Sequence, residues 1–288
     1  MGKNALRVIV AEWPENQFFN LAFEEAFYRV STKPTLRFWR NNKVVVIGRM
    51  QSPVLEVNAV EALRCGVKLV RRFTGGGAVY HDLGNINYAV VLPGYNLGIE
   101  EAFKLIGEAV VEGLKSLGVT GAYYRPLNDI EVDGLKISGL AATRSQDRVF
   151  VHGALLVSSD IELLWRVLRI SREKLVDKKL TSSRVKRVVT LSELLGKNVE
   201  TRDVYEAIGN AVARALGLQL EWGHVLRGEL EKAIELYEAK YSRLEWNLAY
   251  TEELKSLVTE EEYRALREIG RPSPEQNNLV ECLRRSTW

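Results

Sequence analysis

The sequence predicts an α+β fold, with mixed, largely antiparallel sheets flanked by helices. Short apolar strands interleave with amphipathic helices along the first 160 residues or so. Many neighbouring strands are joined by turns too short to hold a crossover helix. From Ile161 onward the pattern is mostly helical.

The elements follow in order. "LRVIVAEW" reads as a first strand. In "NQFFNLAFEEAFYRVS", Phe19, Phe23, Ala26, Phe27 and Val30 recur at helical spacing, with Asn16 as N-cap. "TLRFWR" and "KVVVIGR" flank "NN", a hairpin signal. "SPVLEVNAVEALRCG" predicts one helix, capped by Ser52, entered through Pro53 and stopped at Gly66. "VKLVRRF" is a strand running into three glycines, and "AVYH" and "INYAVVLPG" are strands after them. "GIEEAFKLIGEAVVEGLKSLGV" is a long amphipathic helix. "VDGLKI" places a tight turn at Asp133-Gly134, and "RVFVHGALLV" is a further strand. No internal repeat or low-complexity segment is present. The residues from about Thr251 are charged and helical.

A chain of 288 residues can bury a sizeable core. Its formal charge of +3 is close to balanced, which argues against a general nucleic-acid binder. Two distant cysteines, Cys65 and Cys282, make neither a disulfide framework nor a zinc pattern, and a reducing, cytoplasmic setting is the simpler expectation. The N-terminal segment lacks the long apolar core of a signal peptide, and Gly2 lacks the Ser/Thr at position 6 that myristoylation favours. No run approaches the length of a membrane span.

Three segments carry candidate chemistry. In "RRFTGGGAVYHDLGN" (Arg71 to Asn85) bare backbone N–H groups can surround phosphate oxygens beside two permanent cations. The pattern is neither GxxxxGKS nor GxGxxG; its bland alternative is a glycine bulge at a sheet corner. In "NDIEVDGLKISGLA", Lys136 alternates against Leu135 and Ile137. Facing solvent it is an ordinary surface lysine; facing the glycine loop it is a point charge for a phosphate or an acyl carbonyl. An aspartate beside it could then bring Mg²⁺ to the same phosphates. In "VHGALLV", His152 is either a hydrogen-bonded core histidine or a ligand-facing one, with Gly153 and Ala154 leaving room beside it. His81 is either a base or a loop pin. The three histidines lack metal-ligand spacing.

These motifs resemble the signatures of the lipoate–protein ligase A family, within the biotin/lipoate ligase superfamily. The likeness rests on "RRFTGGGAVYHDLGNINYAVV", "NDIEVDGLKISGLAATRSQDRVFVHGALLV", "TLRFWRNNKVVVIGRMQSPVLEVN" and "KLTSSRVKRVVTLSELLG", in order, from about Asn20 to about Gly196. The resemblance implies a two-step reaction. ATP and lipoate give lipoyl-adenylate and pyrophosphate, and the adenylate acylates a lysine on the lipoyl domain of a 2-oxoacid dehydrogenase E2 subunit or on the glycine-cleavage H protein. Carried over by position, the adenylate would lie against Arg72, Gly75, Gly76, Gly77, Ala78, Val79, Tyr80, Asn85, Asn128, Asp129, Lys136 and Ala141. Lipoate would lie against Trp39, Gly48, Arg72, Thr74, Gly76, His81, Lys136, Ser138, Gly139, His152, Gly153 and Ala154, with Val46 as a further wall. Lys136 would be the catalytic residue, and Asp129 would hold Mg²⁺ through the ATP phosphates. Arg72 is expected to face the ligand and Arg71 to pack behind it.

Octanoyltransferases of related fold use a cysteine nucleophile; none occurs between Gly121 and Leu156 here, and the glycine-arginine loop of biotin ligases is missing as well. "KYSRLEWNL" resembles the end of the family's catalytic domain, so residues 1–250 are expected to form the ligase catalytic domain and 251–288 a short helical extension. Full-length family members carry an accessory domain after the catalytic one; here that domain is either dispensable or a separately encoded accessory protein, a partner of this chain. Neither nucleic acid nor membrane is expected as one. The basic cluster Lys178, Lys179, Arg184, Lys186 and Arg187 is either a solvated loop or a steering patch for an acidic lipoyl domain.

Overall fold

The computed structural model describes residues 5–169 and 188–286. Eleven strands among the described residues form two sheets. The large sheet has the order β11-β1-β2-β6-β10-β9-β8-β7, where β1 is Ala5–Val10, β2 Thr35–Trp39, β6 Asn85–Pro93, β7 Ala122–Arg125, β8 Asp129–Val132, β9 Leu135–Arg144, β10 Arg148–Leu156 and β11 Gln219–Trp222. β1 runs parallel to both β2 and β11, and the other pairings are antiparallel. The small sheet has the order β4-β3-β5, with β3 Val44–Ile47, β4 Lys68–Arg71 and β5 Val79–His81.

Strand alternation sorts the apolar residues into layers. On one face of the large sheet, Leu36, Phe38, Ile86, Tyr88 and Val90 pack with α4 (Ile99–Ser116) and the helix Thr201–Ala215. On the other face, Trp39, Ala89, Val91 and Phe150 meet α1 (Gln17–Val30) and the inner side of the small sheet, through Val44, Val46 and Val70. The outer side of the small sheet, Val45, Ile47, Leu69 and Tyr80, packs on short helices that include Ala265, Leu266 and Ile269 of the C-terminal segment. A space between the two sheets is thus walled by both.

α1 starts as the sequence predicts, with Asn16 Oδ1 accepting from Phe19 N at 3.0 Å. The Asp133-Gly134 turn is also as expected: both residues have positive φ, 52° and 78°, as a two-residue hairpin turn requires.

Three expectations are corrected. "NN" does not close a hairpin, because β2 and β3 belong to different sheets. Asn41 and Asn42 instead bind the start of α1: Asn20 Nδ2 donates to Asn41 Oδ1 at 2.9 Å and Gln17 Nε2 to the Asn42 carbonyl at 2.7 Å. The single helix over "SPVLEVNAVEALRCG" is two, α2 (Pro53–Glu56) and α3 (Ala59–Arg64). Between them Val57 is extended and bridges Leu168, and Asn58 N donates to the Val167 carbonyl, so pairing with a distant segment outcompetes helix continuation. Ser52 makes no side-chain cap; its hydroxyl donates to the Tyr250 carbonyl at 2.8 Å. Finally, β11 breaks the helical C-terminal half. "QLEW" is a short strand at the sheet edge, half-exposed and polar, and so lacks the apolar alternation that marks the others.

Candidate active site

Lys136 reaches the space between the sheets because of a β-bulge. Ile130 is opposite Ser138, yet Glu131 is opposite Lys136, so β9 carries one extra residue, Ile137. Uninterrupted alternation would put Lys136 on the side of Ser138, whose hydroxyl meets Tyr88 Oη at 2.9 Å in the core. The bulge moves it to the side of Gly139 and Asp129, as bulges beside functional sites often re-aim a side chain. There Lys136 Nζ lies 2.6 Å from Asp129 Oδ1, both partly exposed. Gly139 makes the room: a Cβ at that position would lie 2.6 Å from Lys136 Nζ.

The glycine loop between β4 and β5 is held from beneath by Arg72. Its Nε donates to Thr74 Oγ1 and the Gly75 carbonyl, both at 3.1 Å; Nη1 donates to Val46 at 3.2 Å and Nη2 to Gly75 and Gly77 at 2.6 and 2.8 Å. Since the carbonyls turn toward a buried cation, the Arg72 charge both shapes the loop and lines the cavity. Burial lowers its pKa to about 10, against the pull of Glu24, so it stays protonated at neutral pH. Gly76 has φ +89°, open to glycine, and a Cβ on Gly48 would lie 2.1 Å from the Gly76 carbonyl oxygen. Arg71 points elsewhere: its guanidinium donates to carbonyls of Gly48, Arg49 and Gln51 on one side and of Trp246, Asn247 and Ala249 on the other.

A third group lies among apolar walls. Glu24 of α1 is fully buried, and its Oε1 is 3.1 Å from His152 Nδ1, while His152 Nε2 is 2.8 Å from Thr74 Oγ1. His152 is thus tied at both nitrogens and links α1 to the glycine loop. His81 sits 3.3 Å from Asn41 Nδ2 through Nδ1 and is held neutral, its pKa lowered to about 3 by burial and then by the Arg72 and His152 charges.

These parts enclose a cavity of about 220 Å³. Of the sequence-predicted residues, Trp39, Val46, Arg72, Gly76, Gly77, Ala78, Val79 and His81 line it from one side. Asn128, Lys136, Gly139, Ala141, His152, Gly153 and Ala154 line it from β9, β10 and the approach to β8. The others stand behind the wall. Gly48 backs Gly76, and Thr74 and Gly75 hold Arg72. Asp129 pairs with Lys136, and Asn85 Nδ2 donates to Asn87 Oδ1 at 3.1 Å. Ser138 contacts Tyr88, and the Tyr80 side chain belongs to the outer cluster. Sequence reasoning missed Leu21, Glu24, Asn87 and Leu140 in the lining. For Glu24 a signal existed: an acidic residue three positions after Leu21 and one after Phe23 on a buried helix face. The basic cluster Lys178, Lys179, Arg184, Lys186 and Arg187 lies outside the described residues.

The chain matches the model of the lipoyl protein ligase A/B catalytic domain over residues 16–213. It is 34% identical over 257 residues to lipoate-protein ligase A subunit 1 of Thermoplasma acidophilum, covering 84% of this chain and 96% of that one. It is 39% identical over 195 residues to a probable lipoate-protein ligase A of Mycoplasma pneumoniae, covering 66% of this chain but only 57% of the relative. Among solved structures, a bi-partite lipoate protein ligase of T. acidophilum, described with its E2 lipoyl domain, superposes with TM-score 0.77 at 35% identity over 85% of this chain and 96% of that one. A T. acidophilum chain with bound lipoic acid gives 0.76 at 32%, over 85% and 98% of the two chains. A lipoate-protein ligase A bound with ATP gives 0.76 at 31%, over the same shares. With the family model spanning more than half of its length and 34% of the aligned residues shared with a relative covered almost end to end, the chain belongs to the lipoyl protein ligase A/B catalytic domain family.

Proposed function

We propose that this chain is an ATP-dependent lipoate–protein ligase. It joins lipoate to the α-phosphate of ATP, releasing pyrophosphate, and passes the lipoyl group from the adenylate to a lysine of a lipoyl domain, on an E2 subunit or the H protein. One observation carries the reading: the ammonium of Lys136 and the Arg72-held glycine loop line the same cavity.

In the first step a lipoate carboxylate oxygen attacks the α-phosphorus, and the bond to the pyrophosphate oxygen breaks. Two anions must approach, so positive charge on both is what the site has to supply. Lys136 is suited to it. Its ion pair with Asp129 is partly exposed and worth only about 0–1 kcal/mol, so the ammonium can turn to a phosphate at little cost. Gly75, Gly76 and Gly77 carry no side chains that would block a phosphate from the loop's backbone N–H groups. In the second step the acceptor amine attacks the acyl carbonyl as the free base, AMP leaves, and the surplus proton goes to solvent. Lys136 would again offset charge, on the carbonyl oxygen and the departing phosphate. The adenylate would lie along Arg72, Gly76, Gly77, Ala78, Val79, Asn128, Lys136 and Ala141, with Gly75, Tyr80, Asn85 and Asp129 supporting from behind. The lipoyl chain would lie among Trp39, Val46, His81, His152, Gly153 and Ala154, with Gly48, Thr74, Ser138 and Gly139 supporting. Asp129, a single carboxylate, would help hold a Mg²⁺ carried in on the ATP phosphates, and that ion would supply charge neutralisation there.

Among the described residues the lining holds no cysteine, which disfavours transfer through an enzyme thioester. Leaving out ATP separates a ligase from a transferase that takes a preformed acyl donor. The decisive measurement is the mass of a lipoyl domain after incubation with the chain, ATP, Mg²⁺ and lipoate, with Lys136→Ala alongside. A gain of one lipoyl group is expected only with unsubstituted Lys136; a gain that survives the substitution sinks the assignment.

A second reading refines the first: the chain is the catalytic subunit of a two-chain ligase. Its match over 96% of one subunit of a bi-partite enzyme favours it. Residues 1–250 would be the catalytic unit and 251–288 an extension fixed to it. Gln276, for example, donates to the Glu15 carbonyl and Gln17 Oε1, both at 2.7 Å. Full lipoyl-AMP formation by the purified chain alone would rule out a required partner. No helix among the described residues is long and apolar enough to cross a membrane. The two distant cysteines, Cys65 and Cys282, favour a reducing, cytoplasmic setting.

A further inference from the structure

The cavity face of the large sheet continues past Lys136 to the sheet's edge. Beyond β9 come β8 and then β7, the last strand in the order. Register fixes which of their side chains share that face. Asp129 is opposite Gly139, Arg125 is opposite Asp129, and Tyr123 is opposite Glu131. Opposed residues, and residues two apart on one strand, point to the same side. Tyr123, Arg125, Asp129 and Glu131 therefore lie on the side of Lys136, while Ala122, Tyr124, Ile130 and Val132 pack in the core on the other. Glu131 is buried, and both of its oxygens are taken: Oε1 accepts from Arg125 Nη1 at 2.6 Å and Oε2 from Tyr123 Oη at 2.7 Å. Arg125 is thus held by one nitrogen. Among the described residues its Nε and Nη2 meet no acceptor, and its side chain is 57% exposed.

We propose that Arg125 binds the β- and γ-phosphates of ATP and takes up the charge of the departing pyrophosphate. This rests on the proposed ligase reading, in which the acyl group lies by His152, Gly153 and Ala154 of β10 and the α-phosphate by Lys136 of β9. In an in-line displacement the attacking and leaving oxygens stand on opposite sides of the phosphorus. A carboxylate that attacks from the β10 side therefore drives the leaving group toward β8 and β7. As its oxygen bonds to the α-phosphorus, the bridging oxygen departs with the bonding pair, and negative charge gathers on the pyrophosphate. Arg125 stands in that direction, two strand spacings or about 10 Å beyond β9, with the α-phosphate site and Asp129 in between. The unused part of its fork suits phosphate oxygens, and Glu131 and Tyr123 hold it in place at no cost to those donors. The open edge of the sheet lets the product out. The adenylate keeps no β-phosphate, so Arg125 has no part in holding it.

Calorimetric titration of ATP with Mg²⁺, and separately of lipoyl-AMP, tests this on the chain and on Arg125→Ala and Arg125→Lys. ATP affinity should fall about tenfold in Arg125→Ala, the size of a charge-assisted hydrogen bond, while lipoyl-AMP affinity holds. Arg125→Lys keeps a cation beside Glu131 and should recover part of the ATP affinity. In the unsubstituted protein, the ¹⁵N-resolved Nε–H resonance of Arg125 should move when inorganic pyrophosphate and Mg²⁺ are added and stay in place with AMP. That signature needs no variant to fold. An ATP affinity unchanged in Arg125→Ala, equal losses for ATP and lipoyl-AMP, or a resonance that ignores pyrophosphate overturns the inference. Binding of neither ATP nor lipoyl-AMP by the unsubstituted chain would instead sink the ligase reading.

Discussion

Replacing Gly139 with alanine tests whether the position of the Lys136 ammonium sets the rate. The added Cβ would lie 2.6 Å from Lys136 Nζ, 2.8 Å from its Cε and 3.7 Å from Asp129 Oδ1. Non-bonded carbon contacts are comfortable at about 3.5–4.0 Å, so the ammonium must retreat by about 1 Å. It is the far end of a flexible, partly exposed side chain, and the Asp129 pair it loosens is worth only about 0–1 kcal/mol. The backbone at Gly139 has no positive φ that alanine would strain, and the unfolded chain loses some freedom. Stability should therefore hold to within about 1 kcal/mol. Catalysis should not: a displacement of about 1 Å at a reacting group costs about 100-fold, or ~2.7 kcal/mol of barrier. The assay is pyrophosphate release with saturating lipoate and ATP, beside a thermal melt, with Lys136→Ala as the floor. A Gly139→Ala enzyme that melts normally and releases pyrophosphate at the unsubstituted rate, while Lys136→Ala is dead, would refute the positional argument.

The same substitution at Gly153 should do the opposite, because its Cβ would lie 2.3 Å from Cζ and Oη of Tyr88, a fully buried ring that cannot move away. We expect a loss of about 1–3 kcal/mol in urea unfolding, and an unchanged midpoint would contradict it. Arg71→Lys keeps the charge but cannot span six carbonyls on two segments. It should cost about 3 kcal/mol and expose the chain beyond Trp246 to limited proteolysis; an unaltered cleavage pattern would count against the clamp. His81 predicts a pH dependence. Its native pKa, about 3, lies below the ordinary value of 6.5, so between those two pH values the unfolded chain binds a proton that the native one does not. The neutral ring's contribution is complete above pH 6.5 and is lost at about 1.4 kcal/mol per unit as pH falls toward 3. Urea unfolding at pH 6.5 and 4.5 should show a difference about 2–3 kcal/mol larger for the unsubstituted chain than for His81→Phe, and equal differences would exclude burial as the cause.

What the sequence disclosed, and what it withheld, divides by the range of the interactions involved. The N-cap at Asn16, the Asp133-Gly134 turn and the glycine loop are local, and each is legible from a few neighbouring residues. The break of the predicted helix at Val57 is not, since its cause is a bridge to Leu168. Nor is the fate of "NN", which depends on Gln17 and Asn20 rather than on any turn. Lys136 is the sharpest case. Period-two alternation placed it on the face opposite Leu135 and Ile137, but one extra residue in β9 decides which side that is, and "LKISG" carries no mark of a bulge.

Arg71 and Arg72 show the same limit from within one dipeptide. Adjacent residues at the end of a strand must point to opposite sides, so the sequence could tell that their roles differ. The family resemblance is what singles out Arg72; alternation alone does not tell which arginine faces the cavity. That is settled by Trp246, Asn247 and Ala249, whose carbonyls claim Arg71 from more than 170 positions away and leave Arg72 to the loop. The two cations therefore do one job on two faces. Arg72 shapes the glycine loop from the cavity side, and Arg71 ties the Gly48–Gln51 turn beneath it to the C-terminal segment. Gly48 joins the two, because its backbone both accepts from Arg71 and lies where only a glycine lets the Gly76 carbonyl come so close. A disturbance of the C-terminal segment can thus reach the loop through a single turn of chain.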